Sequence, residues 1–149
     1  MTDKNSAFAV RRAEISDADD IANAESRYID CAWTKAQISD EIESPAALFY
    51  VAEVGGAFAG YISGTVAADE CEVSNIAVSV EYRRCGVGRM LLDALKRGAK
   101  QSGCATMFLL VRSDNAPALA LYGKSGFYTV GKRSGYYGGQ DALIMRHNL

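Results

Sequence analysis

The sequence predicts an α+β fold, a single domain with one mixed β-sheet of about seven strands and four helices. Three observations lead to this prediction. Short apolar runs of strand type are interspersed with stretches whose apolar residues recur at helical spacing. Gly55-Gly56 directly joins two strand-type runs, as in a β-hairpin, whereas later runs are separated by helices, as in crossover connections. A length of 149 residues suits one domain with a sizeable core.

The elements follow in the order strand, two helices, three strands, helix, strand, helix and two strands. The predicted strands cover residues 8–12, 48–53, 57–66, 71–80, 106–111, 127–133 and 142–146, and the predicted helices cover 20–28, a segment from Trp33-Thr34 to Pro45, 87–101 and 116–124.

Residue types at the boundaries justify the first helices and strands. Residues 15–17 offer an N-cap for the first helix, and Thr34 is the expected cap of the second. Pro45 ends the second helix because proline disfavours a helical residue before it. Residues 71–80 alternate between polar and apolar side chains, so we expect one side of that strand to line a cleft.

The later elements carry equally specific boundaries. Ser102-Gly103 ends the long third helix, and the apolar run 106–111 reads as a buried strand. Asn115 or Asp114 caps the fourth helix, with Pro117 in its first turn. The last two strands are predicted to be joined by a glycine-flanked loop over residues 134–139.

Composition excludes several classes of function. A net charge of −2 gives no global basic field for nucleic acid, and no apolar run approaches the length of a membrane span. The start of the chain lacks the apolar core of a signal peptide. The four cysteines are scattered without a C-x-x-C pair, and His147 is the single histidine, so we expect no metal site, reduced thiols and a cytoplasmic location.

The segment 75–92 carries the strongest functional signal. An apolar strand leads through a basic loop containing Gly86 and Gly88 into an amphipathic helix. The first N–H groups of a helix have no intrahelical partners, and the helix dipole adds positive charge there. Glycine lets the backbone approach a phosphate closely, and Arg83, Arg84 and Arg89 add formal charge. The segment therefore predicts an anion site.

Two motifs resemble those of the GNAT N-acetyltransferases. The loop matches the pattern [R/Q]-x-x-G-x-[G/A] of their acetyl-coenzyme A site, and residues 110–127 look like V-R-x-x-N-x-x-A-x-x-L-Y-x-x-x-G-F. The resemblance covers nearly the whole chain. Within the family it is closest to the RimI type, which acetylates the N-terminal alanine of ribosomal protein S18. It implies acetyl-CoA as cosubstrate, no metal, and a protein N-terminus as partner.

The resemblance also assigns roles to residues. It implies a V-shaped opening between the strands 71–80 and 106–111, and a pantetheine arm bonded to the backbone of Ile76, Ala77 and Val78. The tetrahedral oxyanion would meet a backbone N–H near Val78. Cofactor-binding residues would also include Arg83, Arg84, Cys85, Gly86, Val87, Gly88, Arg89 and Asn115, and the acceptor would contact Trp33, Tyr136 and Tyr137. Tyr122, seven residues after Asn115 and on the same helix face, is the predicted general acid, with a packing tyrosine as the alternative.

One position departs from the RimI pattern. Those enzymes carry their proposed general base, a glutamate, immediately before Val-Arg, where this chain has Leu110. Histone-type members place the base on the preceding strand, at the position of Glu72. Strand alternation then predicts that Glu72, Ser74 and Ile76 share one face. The alternative for Glu72 is a solvated carboxylate.

Three functions are consistent with these residues. The first is acetyl transfer to a protein N-terminal amine, which the missing glutamate affects least because such an amine is only weakly basic. The second is acetyl transfer to a small-molecule amine or a lysine. The third is a catalytically silent module that binds CoA, which Leu110 would favour.

Overall fold

The computed structural model describes residues 8–29 and 32–149, so Cys31 and the start of the chain lie outside the described residues. The strands are β1 (Phe8–Arg12), β2 (Ala47–Val54), β3 (Ala57–Ala67), β4 (Glu70–Val78), β5 (Thr106–Arg112), β6 (Tyr128–Tyr137) and β7 (Gln140–Asn148). The helices are α1 (Ala18–Tyr28), α2 (Lys35–Glu43), α3 (Val87–Gln101) and α4 (Ala116–Lys124), with short 3₁₀ turns at Ile15–Asp17 and Val80–Tyr82. The predicted α+β class and order of elements are confirmed.

Side-chain caps fix two of the helices where the sequence predicts them. Thr34 accepts a hydrogen bond from the Gln37 amide, and the Gln37 side chain accepts one from the Thr34 amide, which completes a capping box at α2. Asn115 Oδ1 accepts from the Ala118 amide at the start of α4. Gly55 and Gly56 both have positive φ, as a tight hairpin turn between β2 and β3 requires.

The seven strands form one sheet in the order β1-β2-β3-β4-β5-β7-β6. Among the strands of the described residues, only β4 and β5 pair in parallel. They pair at three positions, the last of which joins Glu72 to Phe108. Beyond that pair β4 continues to Val78 and β5 to Arg112, each bonded only to its outer neighbour. The predicted splayed pair of central parallel strands is therefore present.

The sheet divides the core into two layers. On one face, which we call the α3 face, Leu91, Leu92 and Leu95 of α3 pack with Met107 and Tyr122. On the opposite face, the α1 face, Ile21 and Ile38 pack against Phe49, Val51 and Tyr61. No helix among the described residues is long and apolar enough to cross a membrane.

Packing of α3 on β2 yields a prediction about stability. A Cβ added at Gly98 would lie 1.9 Å from Tyr50 Oη and 2.9 Å from its Cζ, so the ring, over which the Arg12 guanidinium is stacked, would have to move. We expect Gly98→Ala to lower the free energy of unfolding by about 1–3 kcal/mol, measured by urea denaturation.

The control for this test is Gly123→Ala in α4. No atom lies within 4 Å of a Cβ added at Gly123, so this variant gains helix propensity without a clash. We expect it to raise the free energy of unfolding by roughly 0.5–1 kcal/mol. Equal effects of the two substitutions would show that contact with Tyr50 does not constrain α3.

Candidate active site

The N-terminus of α3 is open toward solvent. Its N-cap residue, Gly86, has φ +82° and makes no side-chain cap, in contrast to the capped helices α2 and α4. The first intrahelical bond runs from the Met90 amide to the Gly86 carbonyl, so the amides of Val87, Gly88 and Arg89 have no partner within the helix. This helix end therefore offers N–H donors and the positive end of the dipole to an anion.

The loop before α3 adds to that anion site. Arg84 has φ +61°, a left-handed conformation that is uncommon for a residue with a side chain, and Gly86 is the second left-handed residue. Such a turn directs successive N–H groups to one side. Arg83, Arg84 and Arg89 are all exposed around it. These residues offer the N–H donors and positive charge that a pyrophosphate needs, and pyrophosphate binding at this loop stays a prediction.

Backbone groups of β4 face the gap between the splayed strands. The Ser79 amide donates to the Ala59 carbonyl, and because hydrogen-bonded pairs alternate along an antiparallel ladder, Ala77 pairs with Tyr61 in the same way. The N–H and C=O groups of Ile76 and Val78 therefore point away from β3, toward β5. Ile76 and Val78 fit the predicted bonding to an extended ligand, whereas the backbone of Ala77 is engaged with β3, which corrects the expectation for that residue.

Arg83 closes the outer end of this gap. Its Nε donates to the Val78 carbonyl at 3.2 Å, and its guanidinium lies 5.0 Å from the centre of the Tyr28 ring. A ligand bonded to that carbonyl would have to displace the Arg83 side chain.

Tyr122 and Tyr137 lie near each other, and Tyr137 belongs to β6 on the β5 side of the gap. Tyr122 is buried in the core of the α3 face, against Phe127, and burial raises the pKa of its phenol to about 12, with a further contribution from Tyr137. Arg112 lies 5.5 Å from the Tyr137 ring centre. Asn115 uses its Oδ1 for the helix cap, so only its NH₂ group is left for the predicted ligand contact.

The structure corrects the surroundings of Tyr136 and Tyr137. Both belong to β6 rather than to a loop, because the turn to β7 consists of Gly138-Gly139. Ser134, Gly135 and Tyr136 bulge out opposite Asp141, and the two tyrosine rings pack edge to face with centres 4.9 Å apart. The pair is thus placed by a strand end, with Tyr136 exposed.

A cavity of about 130 Å³ opens on the α1 face. It lies between α1, α2 and the middle of β3 and β4. Its walls include Trp33, whose side chain is 43% exposed, and two carboxylates, Glu25 and Glu41. The remaining lining residues are Phe49, Ser63, Gly64, Thr65, Ser74 and Asn75.

A β-bulge in β4 shapes the floor of this cavity. Ser63 faces Asn75 while the next residue, Gly64, faces Val73, so Ser74 is the extra residue. The bulge reverses the alternation, and Ile76 packs with the core of the α3 face. The expectation that Ile76 shares a face with Glu72 and Ser74 is therefore wrong, because the extra residue at Ser74 shifts the alternation of all later residues of β4 by one position.

The fold agrees with comparisons to known proteins. Residues 14–127 match the acetyltransferase (GNAT) family. The N-alpha-acetyltransferase RimI of Mycobacterium tuberculosis is 38% identical over 122 residues, which cover 78% of this chain and 75% of that protein. The chain belongs to the GNAT family. It is an acetyl-CoA-dependent N-acetyltransferase.

Two further similarities point to one branch of the GNAT family. The ribosomal protein bS18-alanine N-acetyltransferase of Escherichia coli K12 is 42% identical over 94 residues, covering 60% of this chain and 64% of that protein. The crystal structure of the Escherichia coli ribosomal-protein-S18-alanine N-acetyltransferase superposes with a TM-score of 0.84 at 30% identity, covering 95% of this chain and 93% of that chain. The predicted resemblance to the RimI type is confirmed.

The predicted base of this GNAT enzyme lies beside the cavity. Glu72 is exposed at the last paired position of β4 and β5. The residues of β4 that line the cavity are Ser74 and Asn75, and Glu72 does not line it. Leu110 on β5 is half-buried and belongs to the same face as Phe108 and Arg112, since Met107, Leu109 and Val111 enter the opposite core. Glu72 as base and Tyr122 as acid remain predictions.

Sequence reasoning missed one residue, Glu25. It lies four residues after Ile21 and three before Tyr28, on the apolar stripe of α1, so a carboxylate at a core position was the available signal. No cluster of residues able to hold a metal ion occurs among the described residues.

The α3 N-terminus provides a test of acetyl-CoA binding. A Cβ added at Gly88 would lie 3.1 Å from Leu121 Cδ2, so any side chain there presses on α4. Gly88→Ala and Gly88→Asp share that contact, but only aspartate brings a negative charge to the anion site. We expect Gly88→Asp to bind acetyl-CoA about tenfold or more weakly than Gly88→Ala, measured by calorimetric titration. Equal affinities of the two folded variants for acetyl-CoA would contradict the prediction that the pyrophosphate binds at this helix end.

Tyr122 provides a test of the chemical step. A phenol with a pKa of about 12 stays protonated at neutral pH, yet full proton transfer to a thiolate with a pKa of about 8.5 costs about 5 kcal/mol. Tyr122 is therefore suited to hydrogen-bond the leaving sulfur. We expect Tyr122→Phe to lower kcat about 10- to 100-fold without raising the KM for acetyl-CoA.

The control for Tyr122 is Tyr128→Phe, which removes a phenol hydroxyl from an exposed position of β6. Steady-state kinetics should show no change for this variant. An unchanged kcat for Tyr122→Phe, with chemistry shown to limit turnover, would leave Tyr122 with a packing role against Phe127.

Proposed function

We propose that this enzyme acetylates the N-terminal α-amino group of a protein, with the N-terminal alanine of ribosomal protein S18 as its substrate. The observation that carries the proposal is the small cavity on the α1 face, which lies across the sheet from α3 and is lined by carboxylates. Its volume of about 130 Å³ is the space of about four water molecules. That volume suits a terminal ammonium group with a small side chain. The relatives named as bS18-alanine N-acetyltransferases support the same substrate.

Basicity favours an N-terminal amine over lysine. The acceptor nitrogen must lose a proton before it attacks, which costs roughly 1 kcal/mol at neutral pH for an α-amino group with a pKa near 8. The same step costs about 4–5 kcal/mol for a lysine with a pKa near 10.4. With Leu110 in place of the glutamate of related enzymes, an acceptor that is easily deprotonated suits this site.

The residues of the site divide between the two substrates. Acetyl-CoA supplies the activated acetyl group. Its pyrophosphate would be held by the α3 N-terminus and its pantetheine arm by the backbone of Ile76 and Val78, with Tyr122 donating to the leaving sulfur. The proposed acceptor residues are Trp33 at the cavity and Tyr136 and Tyr137 at the end of β6. A ribosomal-protein substrate also implies a cytoplasmic location, which we include in the proposal.

The test compares two acceptors of equal length. One peptide begins with alanine and contains no lysine, and the other has a blocked N-terminus and one internal lysine. We expect kcat/KM at pH 7 to be about 100-fold or more higher for the first peptide, measured by mass spectrometry of the acetylated product. Equal rates, or a preference for lysine, would contradict the proposal.

A further inference from the structure

Glu25 is a buried carboxylate held by three neutral donors. The residue is 3% exposed on α1. Its Oε1 accepts hydrogen bonds from Tyr61 Oη at 2.5 Å and from Asn75 Nδ2 at 3.2 Å, and its Oε2 accepts from the Trp33 amide at 3.3 Å. Burial, and secondarily the bond to Glu25, hold the pKa of Tyr61 far above its ordinary value, so the phenol stays protonated and donates.

No cationic side chain among the described residues forms an ion pair with Glu25. A buried carboxylate without a countercharge is costly, and proteins usually pair such a group with a cation. A carboxylate has about four positions for hydrogen-bond donors. Three are used here, two of them on Oε1 and one on Oε2, so the position left is on Oε2.

The location of Glu25 connects it to the reaction. The residue lines the acceptor cavity together with Trp33 and Asn75. Asn75 directly precedes Ile76, whose backbone faces the gap between β4 and β5. A cation that enters the cavity therefore meets an unneutralised carboxylate that is hydrogen-bonded to Asn75, the residue before the strand segment proposed to hold the thioester arm.

We propose that Glu25 Oε2 binds the α-ammonium group of the acceptor and accepts its proton. The inference rests on the proposed function and adds the residue that receives the amine. One N–H bond of the ammonium breaks, an O–H bond forms on Oε2, and the electron pair stays on nitrogen. That pair then forms the N–C bond to the acetyl carbon as the C–S bond breaks. One of the two remaining N–H bonds breaks as well, and its proton passes to the leaving thiolate, so the products are a neutral amide and the free CoA thiol. Glu25 thus supplies the carboxylate that β5 lacks at Leu110.

The first experiment measures recognition of the positive charge. Two ligands are compared by calorimetry in the presence of CoA: a peptide that begins with alanine, and the same peptide with its α-amino group replaced by hydrogen. We expect the wild-type enzyme to bind the amine peptide about 10- to 100-fold more tightly. Glu25→Gln should bind both peptides alike and keep its affinity for CoA. If Glu25→Gln retains the preference for the amine, the inference is wrong.

The second experiment measures the pH dependence of kcat/KM for the alanine peptide. In the wild type, the charged amine is bound and deprotonated in the cavity, so the profile should be shallow between pH 6 and the amine pKa of about 8. Glu25→Gln can use only amine that is already neutral, so its kcat/KM should fall about tenfold per pH unit below that pKa. A purely structural role would lower the rate without changing this slope.

Two carboxylate variants sharpen the comparison. Glu43→Gln removes an exposed negative charge from α2 outside the cavity, and it should keep the wild-type profile. Glu72→Gln tests the rival base predicted from the sequence. If Glu72→Gln steepens the profile and Glu25→Gln does not, the inference is overturned in favour of Glu72.

A conservative variant keeps the inference testable if Glu25→Gln does not fold. Glu25→Asp retains the charge, and we expect a lower kcat/KM with the shallow profile preserved. A steep profile in folded Glu25→Asp would contradict the inference. Failure of the proposed function has a different result, since the wild type would then acetylate neither alanine peptides nor any other N-terminus. If the wild type acetylates the alanine peptide and Glu25→Gln shows the same pH dependence of kcat/KM as the wild type, only the role of Glu25 is refuted.

Discussion

The early end of pairing between β4 and β5 is the constraint on which the active site depends. Three residue pairs hold the two strands together, and the last joins Glu72 to Phe108. Each strand keeps its outer neighbour, so the sheet remains continuous while its centre opens. Backbone polar groups of Ile76 and Val78 that would normally pair across the sheet face the gap instead, where only the Val78 carbonyl has a partner among the described residues, the exposed Arg83 side chain. An extended substrate can therefore take the place of the missing strand contacts.

The same opening separates the chemistry of the two substrates. The side of α3 provides an uncapped helix end with Arg84 and Arg89 exposed near it, and a buried phenol, which suit an anionic cofactor and a leaving sulfur. The α1 face provides Glu25 and Glu41, which suit a cationic acceptor. We propose that these groups of opposite charge sort the two substrates, although the net charge of the chain is only −2.

The sequence predicts the elements whose signals are local. Helices α3 and α4 begin and end where their glycine, asparagine and proline residues indicate. The bulge at Ser74 could not be predicted, because it is a matter of register between β3 and β4. The extension of β6 through Tyr137 likewise depends on its pairing with Gln140. The burial of Glu25 requires Tyr61 and Asn75, 36 and 50 residues away, so its environment exists only in the folded chain.

Placing the amine-binding carboxylate on α1 rather than on β5 couples recognition to the segment between α1 and α2. Glu25 Oε2 accepts from the Trp33 amide, and Trp33 lines the cavity proposed for the acceptor. An ammonium bound to the same oxygen would share it with that amide, so the charge of the acceptor and the position of Trp33 would be set by one carboxylate. A base on β5, beside the gap, would have no such link. In this enzyme the residue that selects a terminal amine would also be the residue that holds the wall of the cavity in place.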